Sequence, residues 1–392
     1  MTIYNSRIMN PSVQLKLEEG GVYKFTLSGV NVSIANSIRR TILSDIQVVC
    51  IDAENCKFDV NNTRLHNEIL KERLNAIPVF TKDLEKLVKD YCVEVDVSNK
   101  TDNIIYVTTE DFKIKKKSSG EMIGKEHRDR IFPKNVISQH YIDFARLGAY
   151  VDETVETEQI KFTANFCLHS SKENGCYSVV SKCAYENTKD PERIMTAWKK
   201  REAELLKDIA NVEDISQVNT DERQAVESRI QFEHRDFLFL DAQRYFKDDS
   251  FDFSIETIGV FTNQEIVLKA CVFLQNSFHN FTKDLETGKY IIQKSSYMQE
   301  HSSTMENSYD VVLEDKDYTF GKVIEFILYE KFFVEKQILS FCGFKKFHPH
   351  NSYSVLRIAF HEKVELEDVY SKLIESANYA KNIYSKLYTL IK

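Results

Sequence analysis

Hydrophobic and polar residues along this chain change period several times, and each change marks an element. Gln14 to Leu27 alternates in strand fashion. Asn31 can then cap a helix in which Val32, Ile34, Ala35, Ile38, Ile42 and Leu43 fall largely on one face. From Ile51 to about Tyr185 the chain is rich in strands. Cys92 to Val97 alternates with period two, and so do Ile160, Phe162, Ala164, Phe166 and Leu168. Asp190 before Pro191 marks a helix start, and Ile194, Trp198, Leu205 and Ile209 give that helix an interrupted apolar face. A further charged helix is expected from about Asp221 to Gln231, with Asn211 to Thr220 as the loop between the two.

Strand and helix patterns then return. Phe251, Phe253 and Ile255 alternate with polar neighbours, and Thr262 to Glu265 reads T-x-x-E, a capping box. The helix it opens runs through Ile266, Ala270, Val272, Phe273 and Leu274 towards Phe278 and Phe281. Tyr309 to Leu313 predicts a strand. A helix from about Thr319, with Thr319 as its cap, carries Phe320, Val323, Ile324, Ile327 and Leu328. Val355 to Phe360 predicts another strand. The last helix holds one face through Leu366, Val369, Tyr370, Leu373, Ala377, Ala380, Tyr384, Leu387 and Ile391.

The same strand–helix–strand–helix plan therefore occurs twice, split by a large insert in the first copy and compact in the second. Each copy ends in a long helix with an apolar stripe to cover, and packing the stripes together would satisfy both. The expected class is α+β, with two related units forming an internal pseudo-dimer. Residues 1–50 and 240–289 make the first unit. Residues 51–239 make the insert, β-rich to about 185 and then charged and helical, and 290–392 make the second, smaller unit. The expected interface residues are Ile34, Ile38, Ile42, Phe320, Ile324, Ile327, Leu373 and Ala377.

Composition narrows the function. A length of 392 residues suits two or three domains, and 11 glycines and 5 prolines exclude a collagen-like or disordered chain. The net charge of −8 argues against strong direct nucleic-acid binding, which needs clustered Lys and Arg. The basic run Lys113 to Lys117 precedes Ser118, Ser119 and Gly120 and reads as a solvated loop. There is no leader pattern and no apolar run approaching the roughly 20 residues of a membrane span. An intracellular protein with reduced thiols is expected. Its 8 cysteines, Cys50, Cys56, Cys167, Cys176 and Cys183 among them, lack C-x2-C spacing, so no metal site is expected and they read as small buried hydrophobes. His348 and His350 flank a proline in what reads as a loop. No phosphate-cradling, dinucleotide, zinc-protease or serine-hydrolase motif is present, so no enzyme activity and no cofactor are expected.

Particular residues carry a resemblance. Val30 to Leu43 (VNVSIANSIRRTIL) resembles the first helix of the alpha-like subunits of RNA polymerase: the bacterial alpha N-terminal domain, the archaeal D subunit and the third subunit of eukaryotic polymerase II. The resemblance continues through Ile51-Asp52, Asn67 to Leu70, Arg73 to Val79, Tyr106 to Phe112 and Phe253 to Gly259. Leu313 to Gly321 and Cys342 to Pro349 resemble the smaller partner, the archaeal L or eukaryotic eleventh subunit. Lys322 stands where that signature has Asn, and Tyr318 where it has His. The zinc-binding cysteines of some large-partner relatives have no counterpart near Cys92.

The resemblance implies a non-catalytic assembly subunit of DNA-directed RNA polymerase, with both alpha-like dimerisation domains in one chain. It would be a platform that nucleates assembly of the largest and second-largest subunits and contacts small polymerase subunits. The role of docking on the second-largest subunit falls to Asn36, Arg39 and Arg40. Such a fusion resembles the arrangement in large nucleocytoplasmic DNA viruses. That points to viral transcription in the host cytoplasm and to packaging in the virion, or to the nucleus for a cellular protein. The alternative is a stand-alone nucleic-acid-binding transcription regulator, which predicts a concentrated basic face.

Overall fold

The protein is described by a computed structural model covering residues 9–150, 156–210, 220–294 and 305–392. The alternating run near the start is two strands, β1 (Ser12–Glu19) and β2 (Val22–Ser28), because Gly20 and Gly21 both adopt positive φ, 58° and 81°, and turn the chain between them. Helix α1 (Val32–Ser44) follows. The insert then supplies β3 (Gln47–Ile51), β4 (Lys57–Asn61), α2 (Asn67–Asn75), α3 (Leu84–Asp90), β5 (Tyr91–Ser98), β6 (Ile105–Thr108), β7 (Lys113–Lys116), α4 (Lys125–Ile131), β8 (Asp143–Leu147) and β9 (Gln159–Ser170). Next come β10 (Val180–Lys189), the helical hairpin α5 (Pro191–Ala210) and α6 (Thr220–Phe239), β11 (Phe246–Thr257) and α7 (Asn263–Glu286). The chain closes with β12 (Ile292–Lys294), β13 (Ser308–Glu314), α8 (Tyr318–Leu328), β14 (Leu339–Lys345), β15 (Tyr353–Phe360) and α9 (Leu366–Ile391).

The class is α+β, built on antiparallel sheets. The first sheet has the order β1-β2-β11-β10 and packs against α1 and α7. Strand β10 hydrogen-bonds along β11 from Val180–Thr257 to Lys189–Phe246. Residues 180–189 thus lie in the first sheet, not with the insert as the 51–239 division has it. A strand-rich stretch to about Tyr185 does not say which sheet its last strand joins; strand pairing decides that. A second sheet, β12-β13-β15-β14, carries α8. The insert has its own sheet, β3-β9-β5-β7 with β4 beside β9, a small β6-β8 ladder and a separate core around Phe112, Phe144 and Phe162. Among the described residues no helix is long and apolar enough to cross a membrane.

Three local expectations change. Lys113–Lys116 is a strand and not a solvated loop: it pairs with β5, buries Ile114 between its lysines, and sets Lys115 Nζ 3.1 Å from Glu94. One apolar residue at the right phase suffices when a neighbouring strand offers its backbone. The second charged helix is longer than expected, Thr220–Phe239; it packs Val226 and Ile230 on Leu206 and Trp198 of α5. The loop expected at Asn211 to Thr220 lies outside the described residues except at Thr220. Finally, the cap of α8 is Asp317, whose Oδ1 accepts the Thr319 N–H at 2.9 Å; Thr319 lies inside the first turn.

One apolar core joins both ends of the chain. α7 and α9 run antiparallel along each other, with Gln264 donating to the Ile391 carbonyl at 2.7 Å at one end and Tyr370 reaching the Tyr290 carbonyl at 3.4 Å at the other. Phe278 of α7 stacks on Phe320 of α8 at 4.5 Å and on Tyr384 of α9 at 5.7 Å. Strand β3 is divided between two cores. Val48 and Cys50 face this one, while Val49 and Ile51 face the insert's. All four are buried, so the side-chain alternation of a strand makes β3 a wall shared by both.

Candidate subunit-docking surface

Helix α1 begins as its sequence dictates: Asn31 Oδ1 accepts the Ser33 N–H at 2.9 Å. Its apolar stripe turns inward. Ile34, Ile38 and Ile42, with Phe320, Ile324 and Ile327 of α8 and Leu373 and Ala377 of α9, are all buried in the shared core. Helix α1 also makes polar contacts with the second unit inside or beside that core. Ser37 Oγ lies 2.7 Å from the Tyr384 hydroxyl. Arg40 donates through Nε to Thr319 Oγ1 and through Nη2 to Asp317 Oδ2, both at 2.7 Å.

This arrangement separates the three residues expected to bind a partner. Arg40 is committed to α8, in an ion pair at the edge of the core with its side chain 39% exposed. Asn36 and Arg39 stay together on the outer face, where Arg39 Nε and Nη2 both donate to Asn36 Oδ1, at 3.1 and 3.0 Å. Burial works against the Asp317 carboxylate, but hydrogen bonds from Thr319 and Arg40 more than offset it and hold the group below its ordinary range.

Beside Asn36 lies an open groove of about 340 Å³ between α1 and α8, lined by Asn31, Val32, Ser33, Asn36, Lys322, Glu325, Phe326, Tyr329 and Cys342. Val32 is 47% exposed and Tyr329 37%, which leaves apolar surface open to solvent. Lys322 Nζ sits 2.6 Å from Glu325 Oε2 and fixes the groove's charged rim. Sequence reasoning missed this face of α8. Its signal was present: positions 322, 325 and 326 follow i, i+3, i+4 spacing on a second side of the helix, and Tyr329 continues that side as the C-cap. The chemistry offered is recognition, an apolar floor with a polar rim.

His348 and His350 stand 5.1 Å apart, ring to ring, in a loop. The described residues bring together one group of metal-ligating side chains, Cys50, Cys167 and His169, in another part of the molecule.

Comparison with known proteins gives this surface its context. Residues 24–278 match the RNA polymerase Rpb3/Rpb11 dimerisation domain. The chain is 28% identical over 256 residues to DNA-directed RNA polymerase subunit Rpo3 of Thermoplasma volcanium, covering 62% of this chain and 87% of that protein. It is 34% identical over 99 residues to subunit Rpo3 of Pyrococcus furiosus, covering 24% of this chain and 37% of the relative. It is 32% identical over 74 residues to DNA-directed RNA polymerase II subunit rpb3 of Dictyostelium discoideum, covering 19% and 22%. The last two matches thus span well under half the length of those relatives. With the matched span running from within β2 through the whole insert to within α7, well over half of the chain, the chain belongs to the RNA polymerase Rpb3/Rpb11 dimerisation-domain family.

Proposed function

We propose that this protein is a non-catalytic assembly subunit of a DNA-directed RNA polymerase, a platform on which the largest and second-largest subunits assemble. The observation that carries the reading is the outer face of α1. It presents Asn36, Arg39 and an apolar groove to solvent while its inner face is locked to α8 and α9. The family match and the names of the relatives support it. On this reading the two sheet-and-helix units form an intramolecular pseudo-dimer that replaces a heterodimer of separate chains. The shared core and the α7–α9 pairing support that part. The fusion also favours a large nucleocytoplasmic DNA virus as source, with the complex working in the host cytoplasm.

The test uses surface residues that leave the core alone. Val32→Asp and Arg39→Glu are expected to abolish co-purification of the second-largest subunit with the tagged full chain, while circular dichroism and melting temperature stay unchanged. Unaltered recovery of that subunit by both variants refutes the assignment of this face. Arg40 is unsuited to the test because its loss also removes an internal contact.

A further inference from the structure

The fold of the insert's stem brings together metal-ligating side chains that sequence spacing keeps apart. Strands β3 and β9 pair so that Cys50 lies directly opposite Cys167. His169, two residues further along β9, falls on the same face as Cys167. The donor atoms of Cys50, Cys167 and His169 all lie within 4.8 Å of one another, and the two Sγ atoms are 3.5 Å apart. A tetrahedral zinc with sulfur ligands at about 2.3 Å and nitrogen at about 2.05 Å has ligand–ligand edges of roughly 3.5–3.8 Å. The separation thus matches two thiolates around one ion. It is far longer than the roughly 2.05 Å of a disulfide.

The histidine is already held as a ligand would be. Its Nδ1 is hydrogen-bonded to Glu173 Oε2, and Glu173 Oε1 also accepts the Ser170 N–H at 3.2 Å. The ring stacks on Tyr177 at 5.2 Å. A carboxylate on one imidazole nitrogen fixes the tautomer and leaves Nε2 free to bind a metal, the usual second layer of a zinc site. Cys50 is buried, and the half-buried His169 edge leaves a path from solvent.

We propose that Cys50, Cys167 and His169 bind one borderline-soft divalent cation, with zinc as the ion their chemistry suits. Two metal–sulfur bonds form as the two thiol protons leave to solvent. The site then carries no net charge, since two thiolates balance the cation and the imidazole stays neutral. Because all three ligands lie on β3 and β9, with Cys50 and Cys167 on the side that packs against the shared core, the ion would staple these two paired strands together at the insert's stem.

The experiment uses the reduced full chain, stripped of metal and titrated with Co²⁺ as a spectroscopic probe. Expected are about one equivalent bound, a thiolate-to-cobalt charge-transfer band, tetrahedral visible bands, and displacement of cobalt by zinc. Cys167→Ser and His169→Ala should lose the tetrahedral signal, while Cys92→Ser keeps it. Glu173→Gln should weaken affinity about 10–100-fold without changing the band positions. Wild-type titration needs no variant to fold, and circular dichroism verifies each variant that is used. The proposal is overturned by a reduced wild-type chain with no thiolate band, by a band that survives in Cys167→Ser, or by a Cys50–Cys167 disulfide in metal-free protein isolated without oxidant.

Discussion

A double-mutant cycle on Ser37 and Tyr384 measures how the two ends of the chain hold each other. Ser37 Oγ donates its proton to the Ile34 carbonyl at 2.7 Å, so the tyrosine must supply the proton in the 2.7 Å contact between the hydroxyls. Both side chains are buried, and burial raises the Tyr384 pKa, keeping the phenol protonated. Tyr384→Phe leaves serine with a filled donor and an empty lone pair, and is expected to cost about 0.5–1.5 kcal/mol. Ser37→Ala strands a phenol donor in the core and should cost about 1–3 kcal/mol. The double variant removes both partners, so its loss should fall short of the sum of the singles by about 1 kcal/mol. Urea titration followed by circular dichroism gives the energies. Hydrogen exchange of the α1 and α9 amides gives the location, and both helices should lose protection together in each single variant. Additivity within about 0.3–0.5 kcal/mol, or a response confined to one helix, would refute the contact as a clasp.

Other positions make separate predictions. Asp310 is wholly buried and receives Arg357 through Nε and Nη2 at 2.6 and 2.7 Å across paired strands. Arg357→Ala should therefore cost about 3–5 kcal/mol in denaturant titration, since it leaves a buried charge without its partner. Gly321→Ala would normally favour a helix by about 0.8–1 kcal/mol. Here a Cβ would lie 2.1 Å from the Phe344 ring, so a lowered melting temperature and a net loss of about 1–3 kcal/mol are expected. The Asp317 carboxylate titrates below its ordinary value of 3.8, so its stabilisation is complete at neutral pH and fades as pH falls through the acid range below that value. Asp317→Asn keeps a capping oxygen and should show a flatter loss of stability on acidification than the wild type.

Where physical cause was local, the sequence was readable. Asn31 caps α1, Thr262 and Glu265 form their capping box, and the apolar stripes of α1, α8 and α9 face the core, save for the exposed first members Val32 and Leu366. What escaped depended on residues distant in the chain. Whether β10 belongs to the first sheet is settled by its hydrogen bonds to β11, 77 residues on in the register of Val180 with Thr257. Lys113–Lys116 extends because β5 offers it a partner edge. Arg40 reads as a surface charge until Asp317, 277 residues away, is placed beside it. Cys50 and Cys167, 117 positions apart, fit no ligand spacing along the chain, yet strand register puts their sulfurs in contact. The β1–β2 turn was legible in principle, since Gly20-Gly21 interrupts the alternation, but period alone runs through it.

The divided strand β3 bears on how the insert can move. A hinge needs a few residues free to change conformation, and Val48 to Ile51 offers none, since each successive side chain is anchored in the opposite core. Sliding that strand by one position would eject two side chains from each hydrophobic interior at once. The insert should therefore respond to a pull from a bound neighbour as a lever rigid with the first unit, passing displacement on to α1 without absorbing it.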